Sequence, residues 1–245
     1  MHRADQEKEL DGIAKMNPFK YLGPSLDKGP LPAVFYFALS AEDTLYVDPF
    51  NQPALALLPF NCRIFSLTLP GHDSLPPKEA LNYWTEQIVQ DFVSHAHRVI
   101  ETLIQDGVID KKKLAVMGLS RGVFIACHVA AITPAVSHIL GFAPLTHLSV
   151  GKEWGKAPHS SLMGTLNNLA NRNIRFYIGN NDTRVGTKAC FDFFSHLVQT
   201  AAEKKIRPIP MELFMTPSIG HQGHGTSPET FQSGAQWLGH KLGNL

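Results

Sequence analysis

Residues 112–131 read KKLAVMGLSRGVFIACHVAA. A short apolar run over 113–118, too brief for a helix, meets a second apolar run that begins at Arg121 and closes at Thr133-Pro134. The first reads as a buried central strand and the second as a largely buried helix. Ser120 sits at the joint, with Gly118 and Gly122 two positions away on either side. A strand that turns straight into a helix drives those flanking positions into collision, and glycine removes the Cβ at both. Ser120 is therefore expected to stand exposed at the end of the strand. The N–H of Arg121 beside it lies at a helix N-terminus, where backbone donors and the dipole favour an oxyanion.

Outward from this joint, strand and helix signals alternate. The runs AVFYFAL (33–39), CRIFSLTLP (62–70), VSHILGFAP (136–144), IRFYIG (174–179) and IPMELFM (209–215) are short, bulky and apolar, as buried strands are. Leu81, Trp84, Ile88, Phe92, Val99 and Leu103 fall on one helical face that ends near Asp106-Gly107. A further helix is expected over 188–204 with Phe191, Phe194, Leu197 and Val198 inward. Ser227-Pro228-Glu229 then supplies a cap and a first-turn proline for the last one. Strands separated by helices imply parallel crossovers, with helices on both faces of one sheet and reactive groups at the carboxyl ends of the strands. The expected organisation is an N-terminal arm over 1–30 and a single α/β domain over 31–245, with a short insertion at about 145–173 that could roof a pocket through Trp154, Leu162 and Met163.

Composition narrows the functional classes. Twenty-two basic residues against twenty-one acidic ones give a formal charge of +1, so no field is available to attract nucleic acid. The cluster Lys111-Lys112-Lys113 reads as a solvated turn before the central strand. Cys62, Cys127 and Cys190 are odd in number, far apart and without a CxxC pair, which suggests neither a disulfide framework nor a thiolate zinc site and fits a cytoplasmic setting. The first sixteen residues lack the apolar core of a signal peptide, and no stretch approaches the roughly 18 apolar residues of a membrane span. His95 and His97 diverge on a helix, so no metal site is expected there.

A serine hydroxyl needs a base to take its proton and a carboxylate to orient that base. Asp182, in NNDTRVG just past the IRFYIG strand, has the placement of such an acid. Glu153 falls in the insertion, Asp192, Glu203 and Glu229 fall within expected helices, and Glu212 falls in a strand. The bland alternative is that Asp182 caps the following helix. After the last strand, TPSIGHQGHGTSPET offers two bases, His221 and His224.

The order Ser120, Asp182, then His221 or His224 on a parallel α/β chain resembles the α/β-hydrolase fold from about residue 31 onward. SLTLPGHD (66–73) is similar to an early strand exit of that family, with Leu67-Thr68 in place of its usual acidic residue. In many members the base follows a glycine and precedes a Pro-Glu by about seven residues, which favours His221. Gly-His-Gly, as found in relatives of the prolyl-oligopeptidase type, is the setting of His224. The resemblance implies an oxyanion hole made by the N–H of Arg121 and a second N–H from the loop after an early strand. Ala38-Leu39 stand where relatives carry His-Gly, so Ser40 is the expected donor, with Leu39 adjacent. Val123 replaces a glycine found after the elbow in many relatives.

These residues point to a serine hydrolase that cleaves an ester, thioester or amide of a small acyl substrate without cofactor or metal. A peptidase of the prolyl-oligopeptidase-like type is the enzymatic alternative. A non-catalytic binding protein of the same fold is the other, since fold alone does not fix function.

Overall fold

The computed structural model describes residues 19–72, 83–148 and 161–243. Its centre is a seven-stranded sheet in the order β1-β3-β2-β4-β5-β6-β7, formed by Lys20–Leu22, Leu31–Phe37, Arg63–Ser66, Ile109–Leu119, Val136–Phe142, Asn173–Gly179 and Met211–Thr216 numbered along the chain. Among the described strands only β1 runs antiparallel; the rest are parallel neighbours. Helices α1 (Ala41–Tyr46), α2 (Gln52–Leu57), α3 (Glu86–Gln105), α4 (Arg121–Ile132), α5 (Leu166–Leu169), α6 (Thr187–Glu203) and α7 (Pro228–Gly243) cover both faces.

The two-residue period of the strands divides the core. Ala33, Phe35 and Phe37 of β2 join Leu114 and Val116 of β4 beneath α3, α4 and α6. Val34 and Tyr36, with Ala115 and Met117, face α2 and α7. Helix α3 buries Val89, Val93, Ala96, Val99, Ile100 and Leu103 along one stripe, and Thr85 caps it by accepting from the Ile88 N–H at 3.2 Å. Helix α4 is buried along almost its whole length, as its unbroken apolar run requires.

Several expectations need correction. Lys111–Lys113 lie inside β4, which starts at Ile109, in the stretch where its register against β2 shifts between the Leu31–Ile109 and Ala33–Leu114 pairs; Lys111 and Lys112 are exposed and Lys113 is half-buried. Phe191 is 52% exposed, because the buried stripe of α6 runs Cys190, Phe193, Phe194, Leu197, Ala201 and leaves position 191 about 100° off it. Strand β3 stops at Ser66, so Leu67–Pro70 are an exit loop. Helix α3 begins at Glu86; Leu81 lies outside the described residues, while Trp84 precedes the helix and is buried. Trp154 and Glu153 also lie outside the described residues. Leu162 is fully buried in the core, and Met163 is 41% exposed beside it.

The end of the expected N-terminal arm is part of the sheet. Its β1 pairs with β3, and Arg63 of β3 is buried with its guanidinium donating to the carbonyls of Pro24, Ser25, Gly29 and Val108. Five guanidinium N–H groups in a rigid fork suit this gathering of backbone acceptors, which a lysine could not span. Replacing it (Arg63→Met) leaves those carbonyls without their donors and is expected to cost on the order of 3 kcal/mol, read as a lowered urea midpoint.

Two histidines, His138 buried and His128 half-buried, make stability depend on pH. Burial pushes His128 down to about 4, and its Nε2 has no hydrogen-bond partner among the described residues. Burial, then the nearby Lys241 charge, pushes His138 down to about 4 as well. Both are neutral in the folded protein at pH 7, whereas the unfolded chain protonates them near an ordinary value of about 6.5. Between about pH 6.5 and 4 the unfolded state therefore binds more protons, and stability present above that window is lost as pH falls through it. The thermal midpoint should drop across this range, with the slope flattened in the double variant His128→Leu, His138→Gln.

Candidate active site

The elbow is built by steric closeness. Ser120 adopts φ 56° and ψ −117°, outside the regions open to most L-residues, before α4 begins at Arg121. A Cβ on Gly118 would lie 2.3 Å from the Val123 nitrogen, and one on Gly122 would lie 1.8 Å from the Phe37 carbonyl oxygen. Both expected glycine roles are thus required, and the second presses the elbow onto the end of β2. The Ser120 N–H donates to the Phe142 carbonyl at 2.8 Å, and the Leu145 N–H donates to the Ser120 carbonyl at 3.2 Å, so the exit of β5 holds the strained residue. Val123, a departure from the resembled pattern, finds its room at Gly141 of β5, where a Cβ would approach Val123 Cγ1 to 2.9 Å.

Asp182 follows β6 and is buried. Its Oδ1 accepts from the N–H groups of Arg184 and Val185, both at 3.0 Å. Its own N–H donates to Thr187 Oγ1 at 2.9 Å, and the Thr187 hydroxyl in turn donates to the Gly179 carbonyl. Helix α6 starts only at Thr187, so Asp182 ties up its own loop rather than capping the helix. The free oxygen, Oδ2, lies 2.7 Å from Nδ1 of His224.

His224, not His221, stands between Ser120 and Asp182, so the geometry runs against the preference for His221. His224 Nε2 is 2.9 Å from Ser120 Oγ. Because a carboxylate oxygen only accepts, Nδ1 carries the hydrogen toward Asp182 and Nε2 is left to accept from the serine hydroxyl. His221 opens a single 3-10 turn (His221–Gly223) after β7 and is exposed. The turn reverses through Gln222 at φ 56° and Gly223 at φ 73°. A Cβ on Gly223 would sit 2.4 Å from the Asn181 carbonyl oxygen, so only glycine lets the histidine loop lie directly against the acid loop. The Thr183 N–H then donates to the Gln222 carbonyl at 2.9 Å and the Asn181 N–H to Ser218 Oγ at 2.6 Å. The second Gly-His pair of GHQGHG carried this signal, and spacing to Pro228-Glu229 did not.

Ser40 caps α1, its Oγ accepting from the Asp43 N–H at 3.0 Å. The neighbouring donors are occupied: the Leu39 N–H gives to Thr44 Oγ1 and the Ala41 N–H to Thr68 Oγ1, each at 3.0 Å. Among the described residues the Ser40 N–H has no acceptor. Thr68, read as a departure from an acidic position, thus holds the loop that presents Ser40.

The Arg121 side chain was missed. It is 7% exposed, donates from Nη2 to His72 Nε2 at 2.9 Å and stacks over Trp84 at 5.0 Å from the ring centre. Burial, then the Arg184 charge, brings its guanidinium down to about 10. Nothing local in GLSRG announces contacts with residues 49 and 37 positions upstream. Among the described residues no group of three or more metal-ligating side chains is assembled, and no helix is long and apolar enough to cross a membrane.

No family model matches the sequence, and no curated protein matches it. Solved structures do match. The α/β hydrolase GrgF from Penicillium sp. superposes with a TM-score of 0.66 at 12% identity, over 93% of this chain and 100% of that one. An esterase of Pyrococcus furiosus does so at 0.62 and 13%, over 93% and 92%. Dipeptidyl peptidase 4 of Porphyromonas gingivalis matches at 0.64 and 15%, over 90% of this chain and 33% of that one. The chain has the α/β-hydrolase fold.

The two histidines are separable by substitution. His224→Ala is expected to lower turnover of an activated ester by roughly 10⁴-fold or more, whereas His221→Ala should stay within about threefold of the parent. Steady-state rates on p-nitrophenyl acetate, with circular dichroism as the check on folding, make the comparison.

Proposed function

We propose that this α/β-hydrolase-fold chain is a serine hydrolase that cleaves a carboxylic ester, thioester or amide of a small substrate through an acyl-enzyme. The observation that carries the reading is the continuous relay from Ser120 Oγ to His224 Nε2 at 2.9 Å and from His224 Nδ1 to Asp182 Oδ2 at 2.7 Å. Ser120 Oγ attacks the carbonyl carbon while its proton passes to His224 Nε2. The N–H groups of Arg121 and Ser40 receive the oxyanion. The imidazolium, held by Asp182, gives its proton to the leaving group as the bond to it breaks. Water, deprotonated by the same His224, then attacks the acyl carbon and releases Ser120. Ser120, His224 and Asp182 already stand at hydrogen-bond distance from one another, which supports a reaction that needs little reorganisation.

Two measurements test the reading. The protein should take up a fluorophosphonate probe covalently at Ser120, and Ser120→Ala should lose p-nitrophenyl acetate turnover by roughly 10⁴-fold or more. Absence of label on the parent, or full turnover by Ser120→Ala, would sink it. A panel of alkyl esters, thioesters and aminoacyl p-nitroanilides decides which bond is cut, and preference for the anilides would move the protein to the peptidase class.

A further inference from the structure

In a trans peptide the carbonyl and the N–H point in opposite directions, so fixing the first aims the second. The Leu39–Ser40 peptide is trans, and its carbonyl accepts from the Leu69 N–H at 2.9 Å. The Ser40 N–H, one of the two oxyanion donors in the reading above, is therefore aimed by the loop that leaves β3. That loop also holds the next peptide along, where Thr68 Oγ1 accepts from the Ala41 N–H at 3.0 Å. A connecting segment is more mobile than the elements it joins unless it is tied down, so the aim of Ser40 is only as good as the anchoring of residues 67–72.

The Arg121 side chain reaches that loop from the first residue of α4. Its Nη2 donates to His72 Nε2 at 2.9 Å, and its guanidinium lies 5.0 Å from the centre of the Trp84 ring. Both partners are bonded to the loop in turn. The His72 N–H donates to the Leu69 carbonyl at 3.0 Å, and Trp84 Nε1 donates to the Pro70 carbonyl at 3.0 Å. Leu69 is thus held at its carbonyl by His72 and holds the Leu39–Ser40 peptide through its N–H. Leu67, Leu69 and Trp84 share one buried cluster, which closes the apolar side of the same arrangement. A planar guanidinium that donates from its edge while its face stacks on an indole suits this double contact, and an ammonium does not.

We propose that the Arg121 side chain positions the second oxyanion donor: its backbone N–H supplies one donor, and its guanidinium, through His72, Trp84 and Leu69, fixes the direction of the Ser40 N–H. The inference rests on the hydrolytic reading above. Arg121→Met keeps the backbone donor and removes the guanidinium, His72→Leu removes its acceptor, and His72→Gln keeps an acceptor oxygen within reach. Single-turnover hydrolysis of p-nitrophenyl acetate and of its thiono analogue, which carries C=S in place of C=O, reads the effect. An oxyanion donor acts on the transition state and not on the bound ester. The acylation rate constant should therefore fall at least about tenfold in Arg121→Met and His72→Leu, while the substrate dissociation constant stays within about twofold of the parent. Sulfur accepts hydrogen bonds weakly, so the oxo-to-thiono rate ratio should shrink by at least about threefold in the same two variants, and His72→Gln should recover most of both losses. Parental rate and ratio in both variants, or a rate loss that leaves the ratio unchanged, overturns the positioning role while the hydrolytic reading stands. Should Arg121→Met fail to fold, the His72 pair decides by the same criteria. A parent that takes no fluorophosphonate label removes both.

Discussion

The contact between Gly122 and the Phe37 carbonyl is the constraint from which the site follows. At a separation where any side chain would overlap the oxygen, the start of α4 can sit against the last residue of β2. That closeness brings two backbone donors, the Arg121 N–H at the head of α4 and the Ser40 N–H in the loop after β2, to the same end of the sheet. The strained conformation of Ser120 persists because β5 and the loop after it hold it, through the Phe142 carbonyl and the Leu145 N–H. Removing the glycine would disturb the sheet packing and the chemistry together, since one contact serves both.

The other half of the site is held by loop against loop. Asp182 spends one oxygen on two backbone N–H groups of its own turn and keeps the second for His224. The His224 loop is in turn laid on the Asp182 loop by Gly223, with the Thr183 and Gln222 backbones joined. Asp182 and His224 are therefore positioned by main-chain contacts with few rotatable bonds.

Legibility in the sequence tracked the range of the interactions involved. The elbow could be read because its glycines, serine and flanking periodicities lie within about twenty residues and obey local steric rules. Asp182 could be read because the end of β6 marks its place. Phe191 was misplaced by a shift of one position in a helical face, where apolar character alone does not choose between neighbours. Lys111–Lys113 were misread because β4 begins before them, where Ile109 meets Leu31, and its register then shifts before Leu114 meets Ala33, an irregularity that only the partner strand reveals.

The sequence by itself determined the sheet-and-helix architecture, the serine on its tight turn, and the order of Ser120, Asp182 and a glycine-flanked histidine along the chain. These follow from side-chain periodicity and from the clash that Gly118 and Gly122 avoid. Only the tertiary structure decided which imidazole meets the serine and where the Arg121 guanidinium goes. His221 and His224 are chemically alike and three residues apart, and the choice rests on Gly223 meeting a carbonyl 42 positions earlier in the chain, a close approach that exists only when β6 and β7 lie side by side.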